Sequence, residues 1–380
     1  MVLFGIDRVE EYRHLLEGRV ALITSPSGRT ADNRSSIERL REVCELALLL
    51  APEHGVRGDK DAGELFEDCV DEPSGLPMMS LYRKGSKGLS HEALERFDTL
   101  VYDIQDVGCR YYTFISTLKN AMEDCAKAGK RLVVLDRGNP LGGKVEGTIL
   151  QREYRSFVGC WEMPQRYGLT CGEFARMING EERIGCDLHV VPCGGLTREM
   201  TFADWGRIWV MPSLGIPRFE TALLYPGTCL FEGTNWSEGR GTADPFAIIG
   251  APGVDADRFS EAFNRLGLTG VVSTPVYFLP NSSKHKGQRC GGVHLHVTDA
   301  KELRPVEVGC RLMELAKTMY PESFSMLPPY TEGGRPFVCL LAGDDGFIRE
   351  DWTADRLLAQ QEADCAAFAA LTEPYRLYGT

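Results

Sequence analysis

The chain has 380 residues, 43% of them apolar and 25% charged, and a net charge of −12. These proportions exclude disorder, collagen and coiled-coil rods, and the acidic balance argues against a nucleic-acid partner, which needs a basic face. The length suits two domains, or one large α/β domain with an appendage.

No stretch approaches the ~18–20 consecutive apolar residues of a bilayer span. Residues 1–19 carry charges throughout and lack the apolar core of an export leader. Thirteen cysteines, scattered from Cys44 to Cys365 with no C-x-x-C pair, read as reduced and mostly buried thiols. As written, the chain is expected in the cytoplasm; an exported protein whose leader had been removed would read the same.

Residues 19–24 (RVALIT) form a β-branched run that ends in the turn Ser25-Pro26-Ser27-Gly28. Ile37, Leu40 and Val43 follow at helical spacing. The apolar runs 46–51, 99–104 and 132–135 are of strand length. Between the last two, residues 113–128 place Phe114, Ile115, Leu118, Ala121, Met122 and Cys125 on one helical face, closed by Gly129. Continuous apolar strands separated by helices indicate a parallel sheet covered on both faces. Further on, Thr170 and Glu173 form a capping box for a helix over 170–179, and 187–191 reads as another strand. Residues 212–253 read as a long loop, and such loops are usually functional. From 255 onward the pattern is helix, strand, strand, helix (255–266, 271–278, 292–298, 305–320). The expected fold is α/β: a mostly parallel sheet domain over 1–252 with a smaller α+β domain over 253–380.

Ligands of open parallel sheets bind beyond the carboxyl ends of the strands. Four strands here empty polar, Gly-flanked clusters onto that rim, and Glu53, Asp103, Asp106, Asp136 and Glu146 are all candidates to face one cleft. Crowded or buried carboxyls separate in pKa, so one can hold a proton while another is ionised. Glycoside cleavage needs that division. The competing reading of each is a helix cap or a partner for a nearby arginine. The segment 232–242 (EGTNWSEGRGT) is a second concentration of amides, hydroxyls, an indole and a guanidinium, the groups that bind sugars. There is no G-x-S-x-G, H-E-x-x-H, P-loop or G-x-G-x-x-G pattern. His294 and His296 share a strand face and read as ordinary histidines before a metal pair. Nothing near Cys290 suggests an activated thiol.

The strings LAPEHGVRG (50–58), DIQDVG (103–108), EGTN with SEGRGT (232–242), and Ser283-Lys284-His285 with Gly287 and Cys290 resemble the exo-β-N-acetylmuramidases of the NamZ type. The likeness runs from about Gly18 to Phe324. It implies a Rossmann-like N-terminal domain with a cleft, a smaller C-terminal domain, and hydrolytic removal of terminal N-acetylmuramic acid from the non-reducing end of peptidoglycan fragments, with a muramyl saccharide or muropeptide as partner and no metal or cofactor. Carried over residue by residue, it makes Glu53 of the P-E-H-G string the lead catalytic residue and general acid. Glu146 of V-E-G is then the second carboxylate, with Asp103 and Asp106 in reserve. It places His54, Arg57, Arg110, Asn139, Glu232, Asn235 and Arg240 around the sugar, with Arg110 or Arg240 expected to meet the lactyl carboxylate of muramic acid. Two departures stand out: the family's Pro between Arg and Asn is Gly138, and its P-S-P-N-x-P string reads PSLGIP (212–217). A catalytically silent muropeptide-binding protein and a nucleotide-using α/β enzyme are the competing readings.

Overall fold

The computed structural model describes residues 1–60, 63–83 and 85–379. Its larger sheet has seven strands: β1 (Arg19–Thr24), β2 (Glu45–Ala51), β3 (Cys69–Asp71), β4 (Leu76–Ser80), β5 (Thr99–Asp103), β6 (Arg131–Leu135) and β7 (Asp187–Val191). Their order is β3-β4-β2-β1-β5-β6-β7, and every pairing except that of the edge strand β3 is parallel. The chain builds outward from β1 to one side and then returns to build from β5 to the other. The order therefore reverses between β1 and β5, where a crevice opens at the carboxyl rim.

Alternation along the strands divides the core in two. Ala21, Ile23, Leu48, Leu50, Leu100 and Tyr102 face one side, under α3 (Phe114–Ala128) and α4 (Cys171–Glu181). Val20, Leu22, Leu49, Ala51, Val101 and Val133 face the other, under the N-terminal 3-10 helix Gly5–Leu15 and α1 (Ser36–Val43). Burial on both faces explains why these strands read as unbroken apolar runs, each fully buried aliphatic side chain contributing about 1.5–3 kcal/mol. A short helix, α2 (His91–Leu94), precedes β5. α3 ends at Gly129 in the left-handed region (φ 64°), and α4 opens on the Thr170–Glu173 capping box.

The stretch 212–253, expected to be loop, contains α5 (Phe219–Thr228) and β8 (Ile248–Ala251). The helix escapes a periodicity reading because it is buried all round, from Thr221 to Thr228, and carries Pro226 inside it. β8 joins an antiparallel sheet of order β8-β10-β9 with β9 (Val271–Phe278) and β10 (Cys290–Val297); α6 (Ala256–Asn264) packs on this sheet, and α7 (Pro305–Met319) packs on α5 and α6. The smaller sheet thus takes its first strand from before residue 253. α8 (Phe337–Ala342), α9 (Ala354–Leu358) and α10 (Gln361–Thr372) complete the chain. The tail then returns to the large sheet, where the Tyr378 hydroxyl donates to Asp136 Oδ2 at 2.6 Å. None of the thirteen cysteines forms a disulfide, and nine are buried.

Candidate active site

β2 runs into Pro52 and the chain turns back at once. The Gly55 N–H donates to the Pro52 carbonyl at 2.9 Å, with His54 and Gly55 both left-handed at φ 70° and 75°. His54 Nδ1 lies 3.1 Å from the Lys60 carbonyl and closes this loop. The turn leaves Glu53 half-buried at the rim. The Thr113 hydroxyl donates to its Oε2 at 2.6 Å and the Gly63 N–H to its Oε1 at 3.0 Å.

Thr113 stands at the start of α3, and the same helix face continues outward. Ser116 donates to the Phe157 carbonyl at 2.7 Å, and Asn120 Nδ2 donates to the Lys87 carbonyl at 2.7 Å. Lys87 Nζ donates to the Tyr82 hydroxyl at 3.0 Å, over the Tyr82 and Phe157 rings. The Tyr82 phenol is pushed up to about 12, first by burial and then by the charge of Glu53. Burial lowers the Lys87 ammonium, and Glu53 opposes that shift.

Next to Thr113 lies Tyr112, whose buried hydroxyl sits beside Ser213 and in the fields of Asp106, Glu53 and Arg240. Its ring is 5.8 Å from Tyr225, Tyr225 is 4.8 Å from Phe246, and the Arg240 guanidinium is 5.0 Å from Phe246. Arg240 donates from Nε and Nη2 to Glu232 Oε1 at 3.0 and 2.6 Å, and its Nε lies 3.5 Å from Glu238. Burial raises the Glu232 carboxyl, with Arg240 holding it down. Behind this pair, Lys284 Nζ donates to Glu238 and to the carbonyls of Phe231 and Trp236 at 2.8–3.0 Å.

Among the described residues six non-glycines have positive φ, and four of them (His54, Phe246, Ser283, His285) lie in these loops. Strain of this kind, about 1–3 kcal/mol each, persists where surrounding structure enforces it and gathers at functional sites.

The remaining expected residues do not converge here. Asp103 is fully buried and takes both Nε and Nη2 of Arg137 at 2.6 and 2.9 Å, with the Ser36 hydroxyl on Oδ2. Asp136 accepts from Thr170, Gly172 and Tyr378. Glu146 accepts the Glu307 N–H at 3.0 Å, which caps the N-terminus of α7; burial pushes it up to about 7. Asp106 takes the Tyr167 hydroxyl at 2.5 Å and the Gly108 N–H at 2.7 Å, and burial raises it to about 7. Its Oδ2 is buried without a partner, beneath Tyr112.

Arg110 is fully buried and donates to the carbonyls of Thr148, Met163, Leu341 and Ala342, so it has no face for a sugar. Asn139 is tied to Leu169 and Leu141, and Asn235 to Ser323 and Ser325. Arg57 is paired bidentately with Asp71 at 2.8 and 2.6 Å. These buried or paired groups stabilise loops, because a desolvated charge or amide must find partners inside the protein.

Gly138 is accounted for by Trp205, whose ring would lie 2.4 Å from an added Cβ. His294 bonds Asp244 at 2.7 Å and His296 bonds Thr274 at 2.9 Å. Among the described residues no group of three potential ligands could hold a metal. Burial raises the Cys290 thiol, away from a nucleophile's thiolate. Sequence reasoning missed Tyr82, Lys87, Tyr112, Thr113 and Phe157. A Tyr-Tyr-Thr run directly before a strong helix was a usable signal for Tyr112 and Thr113, whereas Tyr82, Lys87 and Phe157 arrive only by folding.

Two family models match: the N-terminal part of exo-β-N-acetylmuramidase NamZ over residues 20–220 and its C-terminal part over 223–378. The chain is 43% identical, over 328 residues, to a Bacillus subtilis (strain 168) protein described as peptidoglycan β-N-acetylmuramidase NamZ, covering 85% of this chain and 79% of that one. Two crystal structures of DUF1343 family proteins from Bacteroides fragilis NCTC 9343 share the fold. One has 34% identity and a TM-score of 0.89 over 99% of both chains. The other has 30% identity and a TM-score of 0.74 over 100% of this chain and 99% of that one. The chain therefore belongs to the NamZ family of exo-β-N-acetylmuramidases.

Proposed function

We propose that this protein is an exo-acting glycoside hydrolase that releases terminal N-acetylmuramic acid from the non-reducing end of peptidoglycan fragments, with Glu53 as the proton donor and Glu232 as the second carboxylate. Family membership supports the reaction. The observation that supports the residue assignment is that Tyr112 lies in the fields both of Glu53 and of Arg240, the partner of Glu232, and that both acids are partly exposed. Glu53 is tethered by Thr113 and Gly63, and Glu232 by Arg240.

The division of labour follows from the neighbours. Among the described residues Glu53 accepts the Thr113 hydroxyl and the Gly63 N–H, lies beside the Tyr82 phenol and has no guanidinium on it, which leaves it able to carry a proton to the glycosidic oxygen as the bond breaks. Glu232 is held by Arg240 in its ionised form, and burial keeps its basicity above that of a free carboxylate. It is suited to attack the anomeric carbon or to take a proton from a water that does so. Carboxyls about 5–5.5 Å apart in the substrate complex go with retention and about 6.5–9.5 Å with inversion. Glu146, the other carboxylate expected to take part, is replaced in this reading because it is occupied as the cap of α7.

The test is incubation with a muramyl-β-1,4-glucosamine disaccharide and mass analysis of the products. Glu53→Gln and Glu232→Gln should each lower kcat by about 10²–10⁴-fold while remaining folded. Full activity in either variant would remove that residue from the reaction. Undiminished substrate with the unaltered enzyme would remove the activity itself.

A further inference from the structure

N-acetylmuramic acid differs from N-acetylglucosamine by one group, a lactyl ether whose carboxylate is the only charge on the sugar. An enzyme that reads this difference needs a cation near the catalytic acid with donors to spare. Among the described residues, four of the cations around the site are already engaged. Arg110 is consumed by four carbonyls, Arg240 by Glu232 and Glu238, Lys284 by Glu238 and backbone carbonyls, and Arg57 by Asp71.

Lys87 is different. Its ammonium carries three N–H donors, of which one goes to the Tyr82 hydroxyl at 3.0 Å. The rest of its surroundings are the faces of Phe157 at 3.9 Å and Tyr82 at 4.4 Å. Among the described residues no carboxylate lies within ion-pairing distance of it. It is half-buried, so it has surrendered part of its hydration, and the only anion acting on it is Glu53, at longer range than a direct pair. Its place is set by the helix that sets the catalytic acid: Thr113, Ser116 and Asn120, on one face of α3, hold the Glu53 carboxylate, the Phe157 carbonyl and the Lys87 carbonyl in turn.

We propose that Lys87, framed by Tyr82 and Phe157, is the residue that binds the lactyl carboxylate of the terminal muramic acid and so makes the site specific for it over N-acetylglucosamine. This assignment rests on the muramidase reading. An incoming carboxylate would complete the ammonium's coordination in a partly dry pocket, where a charge-assisted bond is strongest. The two rings would cover the apolar edge of the lactyl group. The same contact would hold the sugar against Glu53 from a point remote from the bond being broken, which is how binding energy is turned into orientation.

The test is calorimetric binding of N-acetylmuramic acid and N-acetylglucosamine to the full-length protein and to its Lys87→Met and Lys87→Arg variants. Turnover of a chromogenic β-N-acetylmuramide is compared with that of its lactyl-amide analogue. Lys87→Met should weaken muramic acid binding about tenfold to a hundredfold and glucosamine binding by less than about twofold. It should also erase the preference of the unaltered enzyme for the free acid over the amide. Lys87→Arg, which keeps the charge, should retain a preference and controls for loss of fold. Equal weakening of both sugars, unchanged affinity in Lys87→Met, or no muramic acid binding by the unaltered protein would overturn the proposal. Selective binding without any hydrolysis would instead sink the enzymatic reading and leave the Lys87 contact standing.

Discussion

Arg110, Tyr111 and Tyr112 are consecutive residues with three different tasks. Arg110 gathers four carbonyls from distant segments, Tyr111 reaches the carbonyl that Pro226 presents from α5, and the buried Tyr112 lies in the fields of Asp106, Glu53 and Arg240. A guanidinium in this position is not interchangeable with any other side chain, because only its planar fork can serve so many acceptors at once. Arg110→Met should therefore cost more than about 3 kcal/mol of stability, since the stranded carbonyls keep their desolvation penalty. Urea unfolding measures this. Its remaining activity should fall alike on muramides and glucosaminides; a loss confined to muramides would return Arg110 to the sugar site.

At the scale of elements, two helices are held so close that their glycines touch. A Cβ on Gly227 of α5 would lie 1.8 Å from the Pro305 carbonyl, and one on Gly309 of α7 would lie 2.3 Å from the Gly227 carbonyl. α5 receives the Tyr111 hydroxyl just ahead of α3 and runs directly into the segment that carries Glu232, so this crossing helps to place that proposed carboxylate relative to the start of α3. Gly309→Ala should push the helices apart and cost about 1–3 kcal/mol or more. The expected outcome is a lower urea midpoint with kcat reduced beyond the loss of folded protein, because a displacement near 1 Å between catalytic groups is enough to slow the reaction strongly. Unaltered kcat in the folded variant would show that the crossing does not set the site. The N-terminal end of α3 works as a bracket in the same sense, since three side chains on its face position groups that are far apart in the chain.

At the scale of the molecule, three buried acids, Asp106, Asp136 and Glu146, are raised to about 7, 6 and 7 by burial. A carboxyl whose pKa is higher folded than unfolded contributes stability that is fully present below its unfolded pKa, near 4, and is lost as pH rises through its folded one. The unfolding free energy should therefore decline from pH ~4 to pH ~7 through these groups. Exposed carboxylates with depressed values, such as Asp32 and Glu42, titrate below that window: their contribution is present above their unfolded pKa, about 4, and is lost only as pH falls further, so it does not offset the decline. Asp106→Asn isolates one contribution: its stability relative to the unaltered protein should rise as pH climbs from 4 to 7. A pH-independent difference would mean that Asp106 is not desolvated in the way its surroundings imply. A rim crowded with carboxylates in sequence is sparse in the fold because Asp103 is drawn inward to Arg137, Glu146 to the N-terminus of α7, Asp136 to Thr170 and Gly172, and Asp106 to Tyr167 and Gly108.

What the amino-acid order settled alone was local: strands buried on both faces, α3 with its glycine stop, the capping box of α4, and the P-E-H-G turn that strands Glu53 at the rim. These follow from periodicity, chirality and hydrogen bonding over a few residues, which act whatever the rest of the chain does. The motifs also sufficed to place the chain in its family. Tertiary structure alone decided which polar groups of those motifs stay open. Asp103, Asn139 and Glu146 read the same on paper as Glu53 and Glu232, and differ only in what long-range packing set against them. Lys87 could not be singled out from sequence for the same reason: only folding brings two rings and one helix face onto it and leaves it, among the described residues, without a directly paired carboxylate.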